Sequence, residues 1–159
     1  MTIIVFDSTE ALSTALGKEA EAMFIIDGAD EEPMWETLVA LQAAYRSSAR
    51  RIVLILPTIG VVGAPGAVDY TTAIEGIRAM AKSAARQWAS ERIGVNIVAA
   101  PADLFSRDVD TSHLSAAAVP DDGALIHSVV ETARFLLRDD LPHVTGETVI
   151  VDGGSVMLP

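Results

Sequence analysis

Five short apolar runs alternate along the chain with longer stretches in which apolar residues recur every three or four positions. Runs of this length are typical of buried strands, and the longer spacing is typical of helices with one apolar face. The runs lie at residues 2–7, 22–26, 52–56, 95–100 and 148–151. Because strands that are apolar throughout suit a sheet covered on both faces, the pattern predicts a parallel sheet with helices on either side.

Four helices are predicted between these strands, over residues 9–19, 33–48, 68–91 and 123–138. The first is expected to begin at Ser8, whose side chain can cap free backbone N–H groups. In the third helix, an apolar stripe is expected to face inward. It consists of Ile74, Ile77, Ala81, Ala84, Ala85 and Trp88. Gly76 within that helix costs about 1 kcal/mol relative to Ala, which suggests that another helix approaches closely there. Residues 57–66 and 101–121 are predicted to be loops.

Composition narrows the class of protein. The 159 residues suit one domain spanning residues 1–159. A formal charge of −11 would repel phosphate backbones, so we expect no nucleic acid partner. No apolar run is long enough for a membrane span, and no basic segment precedes an apolar one at the start. With no cysteine and three scattered histidines, we expect a cytoplasmic protein without a metal site.

Two sequence blocks carry a family resemblance. Between residues 51 and 96, a buried strand, a Gly-rich loop, Tyr70 at a helix start and a second buried strand follow in order. Residues 145–154 then read TGETVIVDGG. Both blocks resemble those of the short-chain dehydrogenase/reductase family, and Ala22–Gly28 resembles its strand that ends Asn-Asn-Ala-Gly. The resemblance implies a truncated Rossmann-like, doubly wound parallel sheet of about five strands.

The chain departs from the family at the positions that carry the chemistry. The family pairs a loop Ser with a Tyr-x-x-x-Lys motif, in which the Lys and the cofactor lower the tyrosine pKa for proton transfer. Here the Lys position holds Ile74, and the Ser position holds Pro57 or, with a shift of one residue, Thr58. We therefore expect Tyr70 to be vestigial and no residue to be catalytic.

The cofactor end departs further. The family places a Gly-rich turn after its first strand, where backbone N–H groups hold the pyrophosphate of the cofactor. Here the first strand runs into Asp7-Ser8-Thr9-Glu10, and the first glycine is Gly17. The carboxylates of Asp7 and Glu10 would repel a phosphate. We expect this chain to bind no cofactor and NAD(P) to be held by a partner subunit.

The leading interpretation is a non-catalytic subunit that pairs with a full-length, active short-chain dehydrogenase/reductase acting on a hydroxyacyl or ketoacyl thioester. It would stabilise that partner or complete its substrate pocket. In the family, the long helix after the tyrosine, its preceding helix and the C-terminal end contact neighbouring subunits. By this resemblance, the residues expected at a subunit interface are Ile77, Met80, Ala81, Ala84, Trp88 and Leu158. The alternatives are a homo-oligomeric pseudoenzyme that binds a small ligand or regulates another protein, and a residual oxidoreductase that uses Tyr70.

Overall fold

The computed structural model describes residues 1–28 and 32–157. Its centre is a sheet of five parallel strands in the order β2-β1-β3-β4-β5. The strands are β1 (Thr2–Phe6), β2 (Ala22–Ile26), β3 (Arg51–Pro57), β4 (Gly94–Ala100) and β5 (Thr148–Ile150). The predicted doubly wound sheet of about five strands is confirmed, and each predicted strand lies within two residues of its expected bounds.

Five helices connect or flank the strands in the described parts of the chain. They are α1 (Glu10–Leu16), α2 (Pro33–Arg46), α3 (Ile59–Val62), α4 (Val68–Trp88) and α5 (Leu125–Leu136). Single 3-10 turns follow α4, at Ala89–Glu91, and β4, at Ala102–Leu104. The four predicted helices are therefore present, while α3 was not expected within the Gly-rich loop.

Each face of the sheet is covered by its own helix pair. Helices α2 and α4 pack on the face that carries Ile52 and Leu54, and α1 and α5 pack on the face that carries Val53 and Ile55. All four of these β3 side chains are fully buried. Burying a side chain of this size contributes about 1.5–3 kcal/mol. The strands are thus apolar along their length because helices bury both faces of the sheet.

One local prediction at the start of the chain was wrong. The N-cap of α1 is Thr9, whose Oγ1 accepts a hydrogen bond from the Leu12 N–H at 3.5 Å. Ser8 instead forms an isolated antiparallel bridge with Phe105. The segment after β4, which sequence alone leaves as irregular, is therefore anchored at its beginning: Leu104 and Phe105 are buried against α5 and its neighbours.

A buried amide holds the last two strands together. The Asn96 side chain on β4 donates to the Val144 carbonyl at 2.9 Å and accepts from the Glu147 N–H at 3.1 Å. Asn96 is 1% exposed. It therefore satisfies two backbone groups that flank the entry to the short strand β5, which a hydrophobic side chain could not do.

Candidate functional site

The carboxyl ends of β1 and β3 form the part of the sheet where ligands bind in open parallel sheets, because the chain leaves these neighbouring strands in opposite directions. Asp7 follows β1, and Thr58 follows β3. Tyr70 reaches the same place from the first turn of α4. The fold therefore brings an acid and a phenol together at the position where this class of sheet carries its sites.

Asp7 is held in a costly conformation at the centre of this cluster. Its φ of 49° lies in the left-handed region that non-glycine residues rarely adopt. Its N–H donates to the Ile26 carbonyl at 2.7 Å, and its carbonyl accepts from the Ser106 N–H at 2.6 Å. Only 7% of the residue is exposed. The backbone on both sides thus fixes the direction of the carboxylate.

Tyr70 donates its phenolic proton to that carboxylate. The Oη to Asp7 Oδ2 distance is 2.9 Å, and the tyrosine is 2% exposed. Its ring packs against Phe6 with centroids 5.5 Å apart. Burial, followed by the charge of Asp7 and the hydrogen bond to it, raises the pKa of Tyr70 far above its ordinary value. This is the opposite of the lowered pKa that a tyrosine needs for proton transfer near neutral pH.

Arg107 closes the cluster from the segment that follows β4. Its backbone N–H donates to Asp7 Oδ2 at 3.0 Å, and its guanidinium lies 4.8 Å from the centre of the Tyr70 ring. The same guanidinium contacts the Asp69 carboxylate at 3.3 Å. Asp7 Oδ2 therefore has two donors, and the positive charge above the ring partly offsets the effect of Asp7 on the phenol.

Gly28 permits this arrangement. A Cβ at Gly28 would lie 2.6 Å from Asp7 Cβ and 2.8 Å from Asp7 Oδ2, distances that real side chains do not show. Gly28 follows β2, the strand whose sequence resembles the family strand ending Asn-Asn-Ala-Gly. In the sheet, however, β1 and not β2 is the neighbour of β3. Asp7, at the end of β1, is consequently the residue that meets Tyr70.

The positions that differ from the family motif lie in the core. Pro57 is the last residue of β3, opposite Ala100. Thr58 and Ile74 are 2% and 1% exposed, and the Ile74 side chain fills the space that Gly60 leaves. The two lysines of the chain, Lys18 and Lys82, are both exposed. Lys82 follows Tyr70 by three turns of α4, about 18 Å along the axis, so no ammonium accompanies the phenol.

The turn after β1 does not fit the pyrophosphate of a dinucleotide. The Thr9 N–H donates to the Leu104 carbonyl at 3.1 Å, and Ser106 binds the Asp7 carbonyl. Residues 104–106 thus lie beside the N-terminus of α1, and the Leu104 carbonyl uses one of the backbone donors there, the Thr9 N–H. Glu10 adds a negative charge to the first turn of this seven-residue helix.

A cavity of about 760 Å³ opens beside the cluster. Trp35 is 60% exposed at its wall, and Arg107 and Asp69 form its charged side. The remaining lining residues come from the starts of α2 and α4 and from the end of β2: Gly28, Glu32, Pro33, Met34, Tyr70, Thr72 and Ala73. The cavity is large enough for a small organic ligand.

The expected interface residues lie mostly beneath the surface of α4. Ile77, Ala81, Ala84 and Trp88 are between 1% and 9% exposed and belong to the core of this chain. Met80 is half-buried and lines a groove of about 290 Å³ between α2 and α4. Leu158 lies outside the described residues. Gly76 does mark a close approach, since a Cβ there would lie 2.4 Å from the Met34 sulfur. The contact of these positions with a partner stays a prediction.

The outward apolar residues of this region lie instead on α2, the preceding helix, none of whose residues was selected as an interface position. They are Met34, Trp35, Val39 and Tyr45, each between 36% and 60% exposed. Their spacing along the helix could have identified them as a second apolar face. No helix in the described part of the chain is long and apolar enough to cross a membrane.

The sequence matches a known family over most of its length. The family model described as enoyl-(acyl carrier protein) reductase matches residues 35–156. The 3-oxoacyl-(acyl-carrier-protein) reductases FabG of Salmonella typhimurium and Escherichia coli are each 30% identical over 123 residues, which is 74% of this chain and 50% of theirs. The Staphylococcus aureus FabG is 30% identical over 118 residues. The chain spans about half the length of these curated relatives.

Solved structures share the fold at low sequence identity. A short-chain dehydrogenase/reductase from Serratia marcescens has a TM-score of 0.63 at 15% identity, with 96% of both chains covered. Acetoin dehydrogenase YohF from Salmonella typhimurium has a TM-score of 0.59 at 17% identity, with 97% of this chain and 95% of that chain covered. Taken with the family match and the two sequence blocks, these likenesses show that the chain belongs to the short-chain dehydrogenase/reductase family.

Proposed function

We propose that this chain is a non-catalytic subunit that associates with a full-length, active short-chain dehydrogenase/reductase. The observation that carries the proposal is the hydrogen bond from Tyr70 Oη to Asp7 Oδ2. The phenolic proton is held by a carboxylate, the residue is 2% exposed, and burial and Asp7 raise the pKa of Tyr70, so this arrangement opposes proton transfer to a substrate carbonyl near neutral pH. Tyr70 then acts as a structural donor that ties α4 to the end of β1.

The positions that carry the other catalytic groups in active family members support the same proposal. An active member needs a cation beside the tyrosine and a hydroxyl facing the substrate carbonyl. Ile74 offers no charge, and Thr58 is buried at 2% exposure. Residues 104–106 also pack against the N-terminus of α1, where active family members hold the pyrophosphate. Binding of NAD(P) and hydride transfer are therefore assigned to the partner subunit.

The surface of α2 supports association with a protein. Trp35, Val39 and Met34 are exposed next to the groove between α2 and α4. Trp and Met are enriched in protein interfaces, and clustered apolar exposure marks interaction surfaces. The predicted contribution of Met80 fits this groove, while the more deeply buried α4 residues would support the surface from below. A cytoplasmic location belongs to this proposal, on the absence of cysteine.

The class of substrate is taken from the relatives. Those described above are named 3-oxoacyl-(acyl-carrier-protein) reductases. We therefore assign a ketoacyl or hydroxyacyl thioester to the partner enzyme. This chain would stabilise the partner or complete its substrate pocket, for example with the segment that follows β5, in which Met157 is 76% exposed.

The experiment is co-expression of the tagged chain with full-length reductases from the same source, followed by affinity measurement and an NADPH-dependent assay on a 3-oxoacyl thioester. Trp35→Glu should weaken the complex roughly thirtyfold, the effect typical of a buried interface tryptophan. Thr14→Glu is the matched control, because Thr14 is exposed on α1, which covers the face of the sheet opposite α2 and α4. If no reductase binds and the chain alone reduces the thioester, the proposal is wrong.

A second function has one observation in its favour. The cavity of about 760 Å³ beside Trp35 could take a small ligand in a homo-oligomeric, regulatory pseudoenzyme. Residual reductase activity through Tyr70 has no such support. Calorimetric titration of the isolated chain with NADH and NADPH separates these cases, because saturable binding of either cofactor would contradict the assignment of the cofactor to a partner.

A further inference from the structure

Three Asp-Gly sequences occur in the chain, at Asp27-Gly28, Asp122-Gly123 and Asp152-Gly153. An aspartate followed by glycine can rearrange, because glycine has no Cβ to shield its amide nitrogen or to restrict its backbone. The glycine nitrogen attacks the aspartate Cγ, and water leaves as a five-membered succinimide ring closes. Water then opens the ring at the former main-chain carbonyl, so that the chain continues through the side chain as isoaspartate. The water lost in the first step returns in the second, and no other reactant is needed.

Asp152 is locked against this rearrangement. The residue is 5% exposed, and its two carboxylate oxygens accept hydrogen bonds from the Gly154 N–H at 2.9 Å and the Val156 N–H at 2.8 Å. The Gly153 carbonyl accepts from the Val119 N–H at 2.9 Å, and a Cβ at Gly153 would overlap the Val119 carbonyl oxygen. Ring closure at Asp152 therefore requires that these buried bonds break first.

Asp27 is exposed, but the glycine that follows it is not. Gly28 is buried beside Asp7, and a Cβ at Gly28 would lie 2.6 Å from the Asp7 Cβ. Hydrogen bonds of its own N–H and carbonyl fix Asp7 in turn. A succinimide draws the glycine nitrogen into the plane of the ring, so the main chain at Gly28 would have to move. The packing against Asp7 thus opposes ring closure at this position.

Asp122-Gly123 lies in an open turn. Both residues are exposed, directly before α5. A Cβ at Gly123 would meet no atom within 4 Å in the part of the chain that the structure describes, so there is room for a ring. The turn is held by hydrogen bonds from the Gly123 N–H to Asp121 Oδ1 at 2.8 Å and from the Ala124 N–H to Asp122 Oδ1 at 3.1 Å. Because these bonds are exposed to water, opening them locally costs little free energy.

We propose that Asp122 is a site of spontaneous isoaspartate formation in the folded chain, and that the fold protects the other two Asp-Gly sequences. The site differs from them in having an exposed aspartate and an exposed, unobstructed glycine together. Exposed turns are also the parts of a chain that open most readily without global unfolding. The modification would therefore accumulate while the protein remains native.

The modification changes the beginning of α5. Asp121 Oδ1 also accepts from the Leu125 N–H at 3.2 Å, so the carboxylates of Asp121 and Asp122 bind the N–H groups of three successive residues, 123–125. Isoaspartate inserts a methylene into the main chain and displaces these acceptors. Val129 and Ala133 are fully buried and hold the rest of the helix on the sheet. The first turn of α5 should therefore loosen while its middle stays packed.

Peptide mapping tests the proposal, because trypsin separates the three sequences. Cleavage after lysine and arginine places Asp27 in residues 19–46, Asp122 in residues 108–134 and Asp152 in residues 139–159. The full chain is aged at neutral pH and physiological temperature, and isoaspartate is located by mass spectrometry and by methyl transfer from an isoaspartate methyltransferase. Isoaspartate should form at Asp122 about a hundredfold faster than at Asp152, since freeing Asp152 breaks two hydrogen bonds to a charged group.

Chain aged in urea is the control for intrinsic reactivity. There the three peptides should convert at similar rates, because the protection of Asp27 and Asp152 resides in the fold. A native chain in which Asp122 converts no faster than Asp152 overturns the inference. So does a native chain that keeps the slow conversion of Asp122 while the same peptide converts readily in urea.

Variants locate the reaction within the peptide. Asp122→Glu keeps a carboxylate but would need a less favourable six-membered ring, so isoaspartate in residues 108–134 should disappear. Asp108→Glu is the matched control, because Asp108 is exposed in the same peptide and precedes a valine. It should leave the modification unchanged. Isoaspartate that persists in this peptide of Asp122→Glu would contradict the assignment.

Hydrogen exchange tests the structural consequence in aged wild-type protein. The Ala124 and Leu125 amides should exchange at least tenfold faster in the modified fraction, because they lose their carboxylate acceptors. The Val130 and Ala133 amides should keep their protection. Unchanged exchange at Ala124 and Leu125 would show that the modification leaves the start of α5 intact and would overturn this part of the inference. No partner enters these measurements, so their outcome leaves the proposed function untouched.

Discussion

Replacing Tyr70 with phenylalanine separates a structural tyrosine from a catalytic one. The substitution keeps the ring that packs against Phe6 and lies beneath Arg107. It removes only the hydroxyl that donates to Asp7 Oδ2. If Tyr70 were catalytic, this change would abolish enzymatic activity and have little effect on the free energy of unfolding. A structural donor should instead lower the free energy of unfolding.

The size of that loss follows from the environment of the bond. A hydrogen bond to a charged group contributes about 1.5–3 kcal/mol, and a buried carboxylate left short of a donor lies at the upper end. Asp7 retains the Arg107 N–H at 3.0 Å, which limits the damage. For a chain of this size, the loss corresponds to a melting temperature roughly 3–12 °C lower.

Urea unfolding followed by circular dichroism measures the effect. At a slope of roughly 2 kcal/mol/M, the Tyr70→Phe midpoint should fall by about 0.75–1.5 M with the slope unchanged. Tyr45→Phe is the matched control, because Tyr45 donates to Glu91 at the surface and stacks on Trp88 through its ring. Its midpoint should equal that of the wild type. If the two variants unfold at the same urea concentration, Tyr70 does not act as a structural donor.

The remaining predictions concern the same network and the sheet beside it. Burial and Asp7 raise the pKa of Tyr70, so the unfolded chain loses the phenolic proton near pH 10 while the folded chain keeps it. The difference in unfolding free energy between wild type and Tyr70→Phe should therefore shrink above pH 10 in urea titrations. A difference that stays constant to pH 11.5 would contradict this. Gly28→Ala should lower the free energy of unfolding by about 1–3 kcal/mol, since the new Cβ would overlap Asp7. Gly123→Ala is the control: its Cβ would meet no neighbour, and only its positive φ would be strained, so its free energy of unfolding should fall by less. Asn96→Ala should lower the free energy of unfolding, measured by thermal denaturation, by about 2–4 kcal/mol, because the Val144 carbonyl and the Glu147 N–H both lose a buried partner. A smaller decrease than that of Gly123→Ala would show that water replaces the amide.

Hydrophobic patterning was sufficient to predict the strands and the long helices. Residues 52–56 are apolar at every position, and residues 95–100 at every position except Asn96, because both faces of the sheet are covered, and that is the pattern by which they were recognised. The stripe on α4 was recognised for the same reason. Periodicity records burial, however, and does not say what covers the face: Ile77 and Trp88 face their own sheet.

The site could be predicted only in part, because it depends on contacts between distant residues. Tyr70 was selected from its motif, but its partner Asp7 lies 63 positions away. Arg107 lies 100 positions from Asp7 in a segment without periodicity. Which strand adjoins β3 is likewise a tertiary property, since β1 and β2 are similar apolar runs. The signal that could have indicated Asp7 is an acidic residue directly after a buried strand in a sheet of this class.

We propose that this chain leaves the chemistry to a partner, and the direct test is native mass spectrometry of the tagged chain purified from its source cells. The account predicts a complex of this chain with a full-length short-chain dehydrogenase/reductase that carries the Gly-rich turn and the Tyr-x-x-x-Lys motif. It would be contradicted by a preparation that contains this chain alone and reduces a 3-oxoacyl thioester with NADPH, in a reaction that Tyr70→Phe abolishes.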